Sequence, residues 1–206
     1  MHYNIAKLLA DKGDKKSAIG FYETAIQMNP NYFHAMNNLA NIHRDIGNYS
    51  NARKLLSEAV RLRPDFAAAH MNLGIVQTAL KNYDDAERSF FNALNHRPIY
   101  AECWFNLGNM VSYECMDFFI DGTRFSCNCV TFQYLENEKT IDALNAWRNA
   151  TILKPQLVAA WNNMIILCEN RKEYENAIIV AKQALDYHQN DSSLHFNYAN
   201  VSKAYK

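Results

Sequence analysis

An all-α solenoid, built by stacking one helical hairpin on the next, is the fold this 206-residue sequence predicts. Three observations predict it. Pro30, Pro64 and Pro98 are spaced by 34 residues. An alanine stands five residues before each of them, at Ala25, Ala59 and Ala93. In the same frame small residues recur at Ala6, Ala40, Gly74 and Gly108, and again at Ala18, Ala52, Ala86 and Ala143, with large residues filling the remaining contact positions. Self-similarity at a fixed period of this length marks units that cannot bury an apolar face alone and must stack to make a core.

A period of 34 is that of the tetratricopeptide repeat. Each repeat is expected to hold two antiparallel helices whose backbones approach at the small residues, while Leu, Tyr, Phe and Trp fill the space around them. Gly13 and Gly47 stand where a first helix must stop and turn, and each proline closes a second helix. Tyr49, Tyr83 and Tyr174 recur just after the turn and are expected to pack back into the hairpin. The frame divides the chain into repeats at 1–32, 33–66, 67–100, 101–157 and 158–191, followed by the first helix of a sixth repeat at 192–206. Met1 falls at the third position of a first helix and Lys206 at the end of another, so the array is expected to be truncated at both ends. Leu194, Tyr198 and Val201 of the last helix are placed to cover the fifth repeat. Stacked hairpins of this kind give a superhelix with a concave face.

Lys+Arg and Asp+Glu are equal at 21 each, so net charge points to neither nucleic acid nor an anionic membrane as a partner. No run approaches the roughly 18 consecutive apolar residues of a membrane helix, and the opening "MHYNIAKLLADKGDKK" lacks the apolar core of a signal peptide. No Gly-rich phosphate loop, HExxH helix or Gly-x-Ser-x-Gly elbow occurs. No catalytic residue, metal site or cofactor is therefore expected. The seven histidines are scattered and read as packing or surface residues; Trp104, Trp147 and Trp161 stand at core contact positions, where packing explains them before ligand stacking does.

One polar position recurs in every first helix: Asn4, Asn38, Asn72, Asn106, Asn163 and Asn197. Asparagine is a mediocre helix former, so six helices choosing it at one position asks for a cause. The position is expected to face the concave groove, where an amide offers both a donor and an acceptor to the backbone of an extended peptide. The alternative is that each Asn bonds a neighbouring helix or solvates the groove. Asn41, Asn109 and Asn200, three residues further on, widen the polar strip.

Between Pro98 and Pro155 the spacing is 57, or 34 plus 23. Removing Val111 to Gln133 gives "WFNLGNMYLENEKTIDALNAW" and returns Ala143, Trp147, Ala150 and Pro155 to register. Tolerated insertions fall at loop tips, where no helical hydrogen bonds are lost, yet this one falls within a first helix. Its edges, Val-Ser and Phe-Gln, can be encoded by a splice donor and a splice acceptor, which suggests a retained intron. In translated form the segment is expected to loop out after Met110, with the hairpin re-forming at Tyr134, rather than to continue the helix from Val111. Its Cys115, Cys127 and Cys129 lack the paired spacing of a zinc site. Cys103 and Cys168 lie in helices, where a free cysteine behaves as a small apolar residue. Sequencing the transcript across the Met110 and Tyr134 codons checks the splice origin, which predicts a dominant message lacking Val111 to Gln133.

The stretches "TIDALNAWRNATILKPQLVAAWNNMIIL", "AMNNLANIHRDIGN" and "RPDFAAAHMNLGIVQTALK" resemble the lumenal repeat region of the transmembrane and tetratricopeptide-repeat-containing O-mannosyltransferases, especially the fourth member. The resemblance implies a parent in the endoplasmic reticulum that transfers mannose from dolichyl phosphate mannose to Ser or Thr of client proteins, with the repeats in the lumen engaging clients. It implies contact with the membrane only through a part absent here, and it carries no catalytic role to any position of this chain. In a lumenal setting Asn48 and Asn190, at expected turns, become candidate N-glycosylation sites, whereas Asn149 lies within a helix. Two other readings stay open: a cytoplasmic adaptor whose groove binds a partner peptide, and the repeat region of an enzyme like O-linked N-acetylglucosamine transferase.

Overall fold

The computed structural model describes the backbone of residues 1–120 and 130–205, and the side chains of 1–113 and 138–205. Among these residues run eleven helices and no strand. They are α1 (His2–Asp11), α2 (Lys15–Met28), α3 (Phe33–Asp45), α4 (Tyr49–Leu62), α5 (Ala67–Ala79), α6 (Tyr83–His96), α7 (Ala101–Ile120), α8 (Val130–Leu153), α9 (Val158–Asn170), α10 (Tyr174–Tyr187) and α11 (Ser192–Ala204). Contacts group them into two compact units, Met1–Pro98 and Ile99–Lys206. The first unit holds three hairpins, α1/α2, α3/α4 and α5/α6; the second holds α7/α8, α9/α10 and the single helix α11. Within each unit a second helix also packs on the first helix that follows it.

The turns after α1, α3, α5 and α9 are built the same way. Gly13 and Gly47 take left-handed backbone angles, φ +84° and +79°. The amide of the next residue then reaches back five positions: Asp14 N–H to the Leu9 carbonyl at 2.9 Å and Asn48 N–H to the His43 carbonyl at 2.8 Å. This satisfies a carbonyl that the end of a helix would otherwise leave open. The third and fifth hairpins repeat the bond, from Asn82 to Gln77 and from Glu173 to Cys168, both at 2.9 Å. There, however, the left-handed residues are Lys81 and Lys172, at φ 60° and 62°. At α2 the Asp14 carboxylate accepts from Ser17 N–H, and at α4 the Asn48 side-chain oxygen accepts from Asn51 N–H, the usual N-cap arrangement. α2, α4, α6 and α8 each stop two residues before Pro30, Pro64, Pro98 and Pro155. Proline cannot continue a helix, and it restricts the residue before it to extended conformations.

The core follows from a matched pair of sizes. Gly74 on α5 meets the Phe90 ring of α6, where an added Cβ would fall 2.8 Å from ring carbons. Gly108 on α7 meets Trp147 of α8 at 2.6 Å by the same measure. Those distances leave no room for a methyl group, so the glycines are there for backbone approach. In the first repeat Ala6 and Tyr22 share one buried cluster, and in the second Ala40 and Leu56 share another. The fifth repeat inverts the pair: Ile165 stands at the small position and Ala181 at the large one, both fully buried. Large and small residues thus trade helices in this repeat, and both stay out of contact with water. On α11 the equivalent Ala199 is exposed, whereas Leu194 and Val201 are fully buried.

The extra 23 residues are accommodated differently from the expected loop. α7 does not break after Met110 but runs to Ile120, with Val111 buried at 6% exposure. α7 has 20 residues against 13 in α5, and α8 has 24 against 14 in α6, an excess of seven and ten. The hairpin is therefore lengthened rather than interrupted. Breaking α7 at Met110 would strip backbone groups of their i to i−4 partners, and Val111 already fits a buried position that Gln77 and Cys168 occupy in other repeats. Beyond the added turns of α8, Ala143, Trp147 and Ala150 are buried at 1%, 3% and 0%. Cys115, Cys127 and Cys129 lie outside the described side chains. Cys103 and Cys168 are buried; burial pushes the Cys103 thiol up to about 12 and raises that of Cys168 as well.

A left-handed backbone costs a non-glycine residue about 1 kcal/mol or more. Lys81→Gly and Lys172→Gly are each expected to raise stability by roughly 0.5–1 kcal/mol, read as a higher urea midpoint. The same substitution at exposed Lys16, inside α2, is expected to lower it.

Candidate functional site

The face presented by the first helices is the candidate site, and each unit carries its own stretch of it. In the first unit the amides form a directed chain. Asn72 Nδ2 on α5 donates to Asn37 Oδ1 on α3 at 2.9 Å, and Asn37 Nδ2 donates to Asn38 Oδ1 at 3.3 Å. Asn38 Nδ2 in turn reaches the hydroxyls of Tyr3 on α1 and Tyr22 on α2, at 3.2 and 3.4 Å. Linked amides polarise one another, and in a site of low dielectric each link strengthens the next. Asn72 and Asn37 are only 6% and 7% exposed, so their polar atoms would be costly to leave unpaired. Burial raises the Tyr22 hydroxyl above its ordinary value, with the bond from Asn38 pulling the other way.

The second unit uses the same residue types in two further links. Asn163 Nδ2 on α9 donates to Asn109 Oδ1 on α7 at 2.9 Å, and Trp147 Nε1 donates to that same oxygen at 3.0 Å. Asn197 Nδ2 on α11 donates to Asn162 Oδ1 on α9 at 2.8 Å, while Asn162 Nδ2 donates to Ser193 Oγ at 2.9 Å. Asn106 turns to its own helix and donates to the Glu102 carbonyl at 2.7 Å. Asn4 and Asn200 are exposed. Asn41 is half-buried, and its Oδ1 has no partner among the described residues. The strip that Asn41, Asn109 and Asn200 define is interrupted by Ile75 and Ile166, which hold its position in the third and fifth repeats.

Two residues that periodicity did not single out, Asn37 and Asn162, are the acceptors that tie one first helix to the next. The signal for them was present in the doublets Asn37-Asn38 and Asn162-Asn163: Asn38 and Asn163 bond the preceding repeat, and Asn37 and Asn162 accept from the following first helix. A second recurrent bond anchors these helices. His70 Nε2 donates to the Pro64 carbonyl at 2.8 Å, Trp161 Nε1 to the Pro155 carbonyl at 2.9 Å and His195 Nε2 to the Gln189 carbonyl at 2.7 Å. Each seals the carbonyl left open where the preceding second helix ends. Burial holds the His70 ring below its ordinary value, against the pull of the Pro64 carbonyl and with a further push from His96. Asn48 caps α4 half-buried, and Asn190 is exposed in the turn before α11.

The arrangement is one of neutral amides held in place by their neighbours. Among the described residues no three His, Cys, Asp or Glu side chains are grouped to hold a metal, and no helix is long and apolar enough to cross a membrane.

Residues 37–101 and residues 1–32 match family models described as tetratricopeptide repeat. With the helical hairpins and their 34-residue period, these matches identify tetratricopeptide repeats within residues 1–101 and make the fold a tetratricopeptide-repeat solenoid. No curated protein matches the sequence. Solved structures share the fold. The crystal structure of MamA aligns with TM-score 0.69 at 21% identity, over 90% of this chain and 95% of that one. YrrB, described as a tetratricopeptide-repeat protein with an unusual peptide-binding site, aligns with TM-score 0.65 at 18% identity, over 98% and 90%. A thermophilic protein of the same repeat class from Thermus thermophilus aligns with TM-score 0.66 at 17% identity, over 97% and 96%.

Replacing Asn72 by Ala leaves the buried Asn37 oxygen without its donor. The variant is expected to lose about 1–3 kcal/mol of stability, measured by chemical denaturation, while Asn4→Ala on the exposed end of the strip changes it by less than about 0.5 kcal/mol.

Proposed function

We propose that this chain is a non-catalytic scaffold segment that holds an extended stretch of a partner or client protein along its first-helix face. The observation that carries the reading is the fixing of that face's amides by bonds of 2.8–2.9 Å between neighbouring first helices, at Asn72–Asn37, Asn163–Asn109 and Asn197–Asn162. An Asn that spends one N–H on a neighbouring helix keeps a second N–H and an oxygen lone pair. Held rigidly, these suit the alternating donors and acceptors of a peptide backbone and lose little entropy on binding. The peptide-binding site named for YrrB supports the same use of the fold.

The parent protein we infer from the resemblance of the three stretches alone: an O-mannosyltransferase of the endoplasmic reticulum whose repeats lie on the lumenal side. The turn position of Asn190 and the cap position of Asn48 suit glycan acceptors in that compartment. A reading frame that encodes several long apolar helices upstream of Met1 supports this parent, and a complete gene without them overturns it.

Selection of random peptides on the immobilised chain, followed by anisotropy titration, tests the scaffold reading. Binding is expected to fall at least tenfold in Asn163→Ala/Asn197→Ala with helix content unchanged by circular dichroism. Unchanged affinity in the folded double variant removes the role assigned to the amides.

A further inference from the structure

We propose that a pocket between α7 and α9 is a subsite for one neutral aliphatic side chain of the bound peptide, with Asn109 and Asn163 holding the peptide unit beside it. The inference rests on the peptide-binding reading of the first-helix face and names what that face selects. The pocket measures about 170 Å³ and is walled by Tyr113, Trp147, Ile166 and Leu167, with the two asparagines at its edge. A cavity of about 150 Å³ holds a benzene molecule, so this space accepts one Leu, Ile or Met side chain.

Its polar edge is fixed. Asn109 Oδ1 accepts from both Trp147 Nε1 and Asn163 Nδ2, which fills its two acceptor directions and sets the plane of the amide. The Asn109 NH2 group and the Asn163 oxygen have no partner among the described residues. They present an adjacent donor and acceptor, the complement of a peptide carbonyl and N–H. Its apolar rim is exposed: Ile166 is 44% and Tyr113 55% accessible. Ile166 stands where Asn41, Asn109 and Asn200 place an amide in other repeats, so the polar strip becomes apolar at this point of the second unit. The remaining lining residues, Ser112 and Asn170, are also neutral. An acidic or basic side chain seated there would lose water without gaining a counter-charge, which is costly.

N-acetyl-leucine N-methylamide is the minimal probe, titrated into the whole chain carrying 13C-labelled Ile and Leu methyl groups. The Ile166 and Leu167 signals are expected to shift saturably in about the millimolar range, and N-acetyl-glutamate N-methylamide to leave them still. Ile166→Asp, a change on the exposed rim, is expected to weaken the leucine probe at least tenfold; Ile166→Thr, a milder change, to weaken it less. Equal shifts with both probes, or silent Ile166 and Leu167 signals in a chain that binds longer peptides elsewhere on the face, overturn the subsite and leave the scaffold reading standing. Failure of every peptide to bind overturns both.

Discussion

The close approach of two helix backbones at one small residue is the constraint from which the rest of this structure follows. Where Gly74 faces Phe90 and Gly108 faces Trp147, a Cβ would come within 2.9 Å of the opposing ring, so the helices touch backbone to ring with nothing between. That contact fixes how far along one helix the other must lie. The fixed offset places the left-handed turn residue and the closing proline, which is why both recur at 34 residues. Within each unit it also sets one first helix beside the next at a spacing short enough for Asn72 to reach Asn37 and for Asn197 to reach Asn162. The candidate site is a consequence of the packing: its amides are held because the repeats are.

The lengthened fourth hairpin shows how local this constraint is. Added turns in α7 and α8 lie beyond the contact of Gly108 with Trp147, on the side of the hairpin tip. The contact itself, the burial of Ala143 and Ala150 and the bond from Lys154 to Glu102 across the open end of the hairpin are all present. Because stability in a repeat array is close to a sum of nearest-neighbour terms, a hairpin can grow at its tip while its contacts with the next repeat stay in place. Asn109, which precedes the added turns on α7, still accepts from Trp147 and Asn163.

Much of this was legible in the sequence. Proline spacing and the small-residue ladder pointed to the hairpins, and the left-handed turns stand at Gly13 and Gly47. The turns at Lys81 and Lys172 were hidden because lysine carries no turn signal; the backbone bonds around it impose the conformation. Counting put 23 extra residues at 111–133 and suggested a loop after Met110, whereas α7 runs on to Ile120, because an interrupted pattern carries no record of the hydrogen bonds that a broken helix forfeits. The recurring asparagines were visible, yet their partners were not. Periodicity compares equivalent positions, whereas Asn72 bonds a position one residue earlier in the preceding repeat. The inverted pair at Ile165 and Ala181 escaped for a related reason: each residue alone departs from the ladder, and only their facing helices show that one offsets the other.

That inverted pair allows the central claim to be tested directly. If the small–large contact sets the hairpin, the fifth repeat should accept the arrangement of the third. Ile165→Gly alone leaves a cavity and Ala181→Phe alone overpacks the contact, so each is predicted to destabilise the chain. The coupling energy from a double-mutant cycle, measured by urea denaturation, is predicted to favour the Ile165→Gly/Ala181→Phe pair by about 1–3 kcal/mol. Losses that simply add in the double variant would contradict the account.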